Sequence, residues 1–297
     1  MRRLAAVALS SLVVPGSAAA SELIDRNAKD VRLAVNSKGE ALMTYRAQGR
    51  WEHVLAWGAI NARHPTSAKP QVRLRKDYSG RGRYWAAFKN ECRPYDGPRL
   101  AFVVTACAAP DGSYWALQSW PRTLPNFDAR PSRRLGNWEL RLSHWSGPIA
   151  KLEAWTDWVY GGRFHHLFGR LTYDGRPVHG FTATRKGSPK DGYGRNIYVD
   201  TFNSRYGMGW RRENAFLAHR PTGIFCYGFY RFTPRGPGNG EKYRLTAIGP
   251  GVTPDVSVTL PGLHNFDPNN PADVAYERER NALQESIVGE GKKCRAH

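Results

Sequence analysis

Acidic residues are in short supply in this 297-residue chain: 25 Asp and Glu stand against 44 Lys and Arg, a formal net charge of +19. A surplus of that size favours polyanionic partners such as wall polymers, acidic polysaccharide, nucleic acid or anionic lipid, and says nothing about fold. The basic residues are 33 Arg and only 11 Lys, a bias that genomic base composition alone also produces. Cysteine is scarce too. The four present, Cys92, Cys107, Cys226 and Cys294, follow no zinc-ligand spacing, which argues for structural disulfides and no metal. The preferred pairing is Cys92–Cys107, closing a short segment, with Cys226–Cys294 tying the tail to a core strand. Beyond Leu4–Val14 there is no long apolar run, and that one falls short of the ~20 residues a membrane-spanning helix needs. Also missing are an HExxH metal motif, a nucleophile-elbow serine, a phosphate-cradling Gly-Lys-Ser/Thr loop and an EF-hand loop. Their absence lowers the expectation of an enzyme without excluding one, and no cofactor is called for.

What is present begins with an address. Arg2 and Arg3 precede the apolar run, Pro15-Gly16 breaks it, and Ala18-Ala19-Ala20 offers a small-residue cleavage site before Ser21. Residues 1–20 therefore read as a cleaved secretory signal peptide. No cysteine follows the cleavage site to carry a lipid, and Glu290–His297 is polar with no sorting segment. The expectation is a protein released outside the cell or loosely adsorbed there. Export makes disulfides of the cysteines and removes dependence on cytosolic nucleotide cofactors.

Residues 21–297 read as a single all-β domain, an antiparallel β-sandwich built from meanders with a short C-terminal helix. Short alternating segments punctuated by Gly, Pro and Asp-Gly turns carry that reading. Val31, Leu33 and Val35 alternate with polar residues, and Asn36–Glu40 supplies a three-residue hairpin loop with Gly39 left-handed. That register sets Val35 opposite Ala41, Leu33 opposite Met43 and Val31 opposite Tyr45, with a third strand at Trp51–Trp57. Leu100–Ala106 is apolar throughout, which predicts a strand buried on both faces. Pro110-Asp111-Gly112 turns it into Tyr114–Trp120. Gly223–Phe232 is a second interior strand, with Phe225, Tyr227 and Phe229 on one face. Asn270 caps the one long helix and Pro271 opens it, with Tyr276, Leu283 and Ile287 as its packing stripe. Pro121, Pro125 and Pro131 lie among arginines in a loop at 121–136.

The chemistry concentrates at 150–184. Gly161-Gly162 makes a two-residue hairpin whose register pairs Asp157 with His166, Trp155 with Phe168 and Glu153 with Arg170. Asp174-Gly175 then brings His179 beside Arg170 and Phe181 beside Phe168. One face is small and apolar; the other carries acid–base couples around an aromatic group. Ile197–Phe202 repeats the style, with Ile197 and Val199 inward and Tyr198, Asp200 and Phe202 outward. As a ligand platform, Glu153, Trp155, Phe168, Arg170, His179, Phe181 and Tyr198 suit a sugar, whose ring stacks while its hydroxyls take bidentate hydrogen bonds. Asp157, His166 and Asp200 are the candidate catalytic groups. Two structural readings compete: a solvated face with cross-strand ion pairs, or aromatics packed beneath another layer with charges at the rim. His165 and His166 point to opposite faces and cannot share one metal.

The phrases Pro110-Asp-Gly-Ser-Tyr-Trp-Ala-Leu-Gln118 and Tyr193-Gly-Arg-Asn-Ile-Tyr-Val-Asp-Thr201 resemble secreted bacterial proteins of unknown function; that resemblance carries over no catalytic residue. The expected function is non-catalytic binding of an extracellular or cell-wall polymer, carbohydrate or polyanion, with nucleic acid the less favoured partner and oligomeric state open. The alternative is a secreted carbohydrate-active hydrolase or lyase. Glu153 and Asp157 lie four residues apart on one strand, roughly 13 Å, beyond the about 5–9.5 Å of a glycosidase pair. Asp200 would have to supply the partner.

Overall fold

Turn chemistry at Asn36–Glu40 sets the first register. The Asn36 carboxamide oxygen accepts from the N–H groups of Lys38 and Glu40, and Gly39 takes the left-handed φ of 71°. The computed structural model describes residues 21–58, 74–123, 136–173, 175–177, 182–183, 189–190, 196–204, 207–212, 223–230, 240–248 and 253–288. In its first half, β1 (Glu22–Arg26), β2 (Lys29–Val35), β3 (Ala41–Ala47), β4 (Arg50–Gly58) and β5 (Leu74–Asp77) lead into a 3-10 helix, Arg81–Ala87. There follow β6 (Arg93–Pro94), β7 (Val103–Ala108), β8 (Tyr114–Thr123) and β9 (Gly136–Trp145). Two antiparallel sheets result, β2-β3-β4-β5 and β1-β9-β8-β7-β6. Val35, Met43, Tyr45 and Val54 of the first share one core with Trp115, Leu117, Leu140 and Leu142 of the second. Each fully buried side chain of this size contributes about 1.5–3 kcal/mol.

Val35 pairs with Ala41 and Leu33 with Met43 as the spacing predicts, but Val31 does not pair with Tyr45. A bulge intervenes between Lys29 and Arg32, with Asp30 at a φ of 51°. One extra residue flips the side chains beyond it, so Lys29 stands opposite Arg46 on the outer face. Leu100–Ala106 also departs from expectation: Val103 and Val104 are 49% and 44% exposed. A bulge falls between Val103 and Thr105, and among the described residues only β6 pairs beyond β7, reaching Cys107 and Ala108 alone. The Cys92–Cys107 disulfide spans a sequence separation of 15 residues, which contributes about 3 kcal/mol in the chain-entropy account. Cys226 is also disulfide-bonded; its expected partner, Cys294, lies outside the described residues.

The second half contains β10 (Lys151–Val159), β11 (Phe164–Tyr173), β12 (Arg176–Pro177), β13 (Thr182–Ala183), β14 (Pro189–Lys190), β15 (Asn196–Ser204) and β16 (Gly207–Arg212). It continues with β17 (Ile224–Tyr230), β18 (Lys242–Ile248), β19 (Val256–Pro261) and the helix α1 (Pro271–Val288). β11 lies between β10 and β17, while β16-β15-β18-β19 form a separate sheet. Ala154, Leu167, Leu171 and Phe225 of the former meet Ile197, Val199, Tyr243 and Leu245 of the latter in a second core. Gln118 ties the halves together: its amide donates to the Asp255 carbonyl, and its oxygen accepts from the Asp255 N–H, each at 2.9 Å. The all-β class with one helix is thus shown, and no helix among the described residues is long and apolar enough to cross a membrane. Most of the 121–136 loop lies outside the described residues, between the end of β8 and the start of β9.

Asn270 caps α1 as expected, its side chain accepting from the Ala272 N–H at 3.0 Å. The packing stripe differs in part. Asp273, Gln284 and Val288 are the buried positions; Tyr276 packs as expected, its ring against Trp158 and its hydroxyl donating to the Thr156 carbonyl at 2.9 Å, whereas Leu283 and Ile287 are only half-buried. The helix presents a polar face because the strands it covers, β10 and β11, offer polar partners there.

Candidate functional site

The β10–β11 ladder has the register that the Gly161-Gly162 turn dictates. Glu153 pairs with Arg170, Trp155 with Phe168, and Asp157 with His166; Gly161 and Gly162 take φ of 62° and 79°. Trp155 stacks on Phe168 at 5.7 Å and His166 on Phe168 at 5.5 Å between ring centroids. At the open end the Arg170 guanidinium contacts Glu153 at 2.5 Å and Lys151 approaches it at 2.8 Å. The Arg170 hydrogen bond, helped by Lys151, holds the Glu153 carboxyl below the usual carboxylate range.

The flank of β11 is not where the sequence put it. β17 occupies it, setting Cys226 beside Phe168 and Ile224 beside Arg170, so neither Phe181 nor His179 holds those places. Only Arg176 and Pro177 of β12 join the ladder. Beyond them the flank belongs to the β17 segment, the Leu171 N–H donating to the Gly223 carbonyl at 2.8 Å. His179 and Phe181 themselves lie outside the described residues.

The other end of the face is closed. Phe168 and Asp157 are fully buried and His166 is 6% exposed. His166 Nδ1 donates to Asp157 Oδ1 at 2.9 Å, and His166 Nε2 faces the Gln284 amide of α1 at 3.5 Å. Burial pushes the Asp157 carboxyl up, opposed by His166 and by the charge of Arg280; burial and the Asp157 charge push Glu277 up as well. The imidazole is oriented as a base would be, but a helix stands where a substrate would have to stand. Asp157 and His166 anchor α1. A raised carboxyl means the folded state holds a proton that the unfolded chain has released, so this group's contribution falls as pH rises. The stability of the wild type relative to Asp157→Asn is expected to decline as pH climbs from about 4, near the unfolded pKa, through the raised folded value. Urea titrations across that window measure it, and a constant difference would contradict it.

Asp200 belongs to a different constellation. Alternation along β10 and β15 puts Asp157 and Asp200 on the far sides of the two sheets that share the second core, so they cannot form a glycosidase pair. Asp200 receives Arg212 at 2.7 Å from one neighbouring strand and Arg244 at 3.5 Å from the other. Aromatic rings line both guanidinium groups: Tyr198 at 4.3 Å and Trp120 at 5.4 Å from Arg212, Trp210 at 4.2 Å and Phe102 at 5.0 Å from Arg244. Tyr198 is a wall of this ladder, not part of the β10–β11 face. Neither arginine was a sequence candidate. Registering β15 on β16 through Asn203–Gly209 would have found Arg212, which stands directly opposite Asp200.

A third surface, also missed, is open around Trp51 and Arg46, though its Ala34–Leu42–Leu55 row is covered, Leu42 being buried. On the outer face of β2–β5, cross-strand pairing lays out the rows Lys29–Arg46–Trp51 and Arg32–Thr44–His53, with Trp57–Arg75 further along β4. Trp51 is 50% exposed with the Arg46 guanidinium 5.7 Å from its ring. His53 bonds Thr44 at 3.1 Å and stacks on Trp85 of the 3-10 helix at 4.2 Å, nearly parallel. The signal was the alternation Trp51, His53, Leu55, Trp57 within the strand expected at Trp51–Trp57, whose register on β3 the sequence reading did not set.

His165 and His166 point apart as the alternation requires: His165 bonds the Tyr243 hydroxyl in the core, and His166 bonds Asp157. Among the described residues no group of three or more His, Cys, Asp or Glu is arranged to hold a metal ion. No protein-family model, no curated protein and no solved structure matches the chain.

Proposed function

We propose that this chain is exported and binds an extracellular or cell-wall polymer without altering it chemically. The observation that supports this most is the aromatic–arginine end of the β2–β5 face, where a half-exposed Trp51 sits beside Arg46 on a hydrogen-bonded sheet. Flat rings with flanking guanidinium groups suit stacking on sugar faces and bidentate contacts to their substituents. The carboxylates considered for hydrolysis have other engagements: Asp157 is enclosed under α1 and Asp200 is held by two arginines.

The test is retention of the protein on immobilised wall preparations, acidic glycans and neutral glycans, with the bound material assayed for new reducing ends and unsaturated products. Retention on at least one polymer with no product is the expected outcome. Failure to bind any of them would overturn the binding reading, and product release would overturn the non-catalytic one.

A further inference from the structure

We infer that the outer face of β2–β5, extended by the 3-10 helix, is a binding strip for an acidic polysaccharide; this rests on the polymer-binding reading and names its ligand class and footprint. Charge is the first argument. Lys29, Arg32, Arg46 and Arg75 are exposed on this face, and Arg83 joins them from the 3-10 helix. The acidic residue sharing the face is Asp77, opposite Leu55 at the β5 edge. Its carboxylate is engaged by the Ser79 N–H at 2.7 Å, and hydrogen bonds from Ser79 hold it below the ordinary carboxylate range. Among the described residues, five exposed cations thus lie on or beside this face against two carboxylates, Asp77 and the Asp30 exposed in the β2 bulge.

The second argument is preorganisation. A guanidinium resting on an aromatic ring has already given up much of its rotamer freedom, so less is lost when it takes a carboxylate or sulfate in its fork. Arg46 lies over Trp51, and Arg83 lies 5.4 Å from the Trp85 ring. Trp85 is held in turn by the His53 stack, and the neighbouring Tyr84 hydroxyl donates to the His53 carbonyl at 3.0 Å. The same contacts argue against nucleic acid. Single strands are held by bases stacking on a succession of free aromatic faces, whereas Trp85 is already engaged by His53 and Arg83.

The third argument is length. From Trp51 to Trp57 the face runs six residues along β4, about 20 Å at the rise of a strand, its exposed cations lying on either side of the covered Leu42–Leu55 row. Successive cationic positions, such as those of the Arg46 and Arg32 rows, repeat on the scale of two residues, roughly 7 Å. That suits an extended chain bearing an anionic group on successive sugars. The bulge in β2 belongs to the design, since it turns Lys29 onto this face.

The experiment compares the affinity of the full chain for a polyuronate, a sulfated glycan, a neutral glucan and single-stranded DNA, at low and high salt. The double variant Arg32→Gln/Arg46→Gln is set against the charge-matched control Arg99→Gln/Arg278→Gln, all four residues being exposed. Unchanged thermal midpoints show that both variants fold. Expected are tighter binding to at least one acidic glycan than to the neutral one, a loss of about tenfold or more in the first variant, and a shallower salt dependence there than in the control. Equal losses in the two variants would overturn the strip in favour of diffuse charge while leaving polymer binding intact. So would binding to the neutral glucan that ignores salt and both variants. Tighter binding to DNA through Arg32 and Arg46 would overturn it in favour of nucleic acid. Failure on every polymer would remove the underlying function, and the inference with it.

Discussion

Asp200→Asn is expected to destabilise the fold by about 3–5 kcal/mol, the range for breaking a buried ion pair by removing one partner. Asn preserves the shape and one hydrogen-bond acceptor; what it removes is the negative charge that, among the described residues, pairs with both Arg212 and Arg244. Arg212 is 3% exposed. Burial already pulls the Arg244 guanidinium below its ordinary pKa, the nearby Arg212 charge adds to that, and Asp200 opposes both. The rings of Tyr198, Trp120, Trp210 and Phe102 soften the loss, since a desolvated cation–π contact contributes on the order of 1–2 kcal/mol. They cannot remove the repulsion between two guanidinium groups left facing each other. Adding Arg244→Leu to Asp200→Asn is therefore expected to recover part of the loss, and the double-mutant cycle to be strongly non-additive. Urea unfolding with a constant m value reads this directly. A single-variant change under about 1 kcal/mol, the scale of a surface ion pair, would show that solvent reaches the site.

Gly169→Ala is expected to have an effect of similar size by a different route. Gly169 stands directly opposite Ala154 in the β10–β11 ladder. A methyl group there would lie 2.0 Å from the Glu153 carbonyl oxygen, 2.7 Å from Phe225 Cζ and 2.9 Å from Ala154 Cα. Two of those three atoms are backbone, so relief requires the strands to part, and the loss should exceed about 3 kcal/mol, the upper range of ordinary overpacking. Gly228, opposite His166 on β17, is the control. Nothing lies within 4 Å of the corresponding position, and Gly228→Ala should be neutral or stabilise by up to about 1 kcal/mol. Comparable unfolding midpoints for the two alanine variants would contradict the close approach.

The contrast between what could and could not be read in the sequence follows from the range of the forces that set each feature. Glycine-rich turns act over a few residues, so Gly39 and Gly161-Gly162 were enough to register β2 on β3 and β10 on β11, and with them the Glu153–Arg170, Trp155–Phe168 and Asp157–His166 pairs. The partners arriving from far along the chain were illegible. β17 displaced Phe181 and His179 from the flank of β11, and nothing local to Asp174-Gly175 announced it. Gln284 is 118 residues from the His166 it faces, and its burial inverted the reading of α1 from an apolar stripe to a polar one. Asp200 was correctly turned away from the core, yet its meaning lay in Arg212 and Arg244, on strands whose pairing was never registered. Local rules identified the faces; only tertiary contacts told which of them were left open to solvent.

Asp30 gives that distinction a mechanical form. Because side chains alternate, the polarity of a strand depends on counting residues, and the bulge at Asp30 shifts the count by one between Lys29 and Arg32. Val31, Leu33 and Val35 stay on the side of the core while Lys29 crosses to solvent. Deleting Asp30 would leave β2 and β3 in regular step and keep Lys29 opposite Arg46 on the outer face. Inserting an uncharged residue beside it would leave the net charge untouched yet move Lys29 one place on, opposite Ala47 on the core side. In this strand what the surface displays is governed by parity, and an insertion is a harsher change than most substitutions.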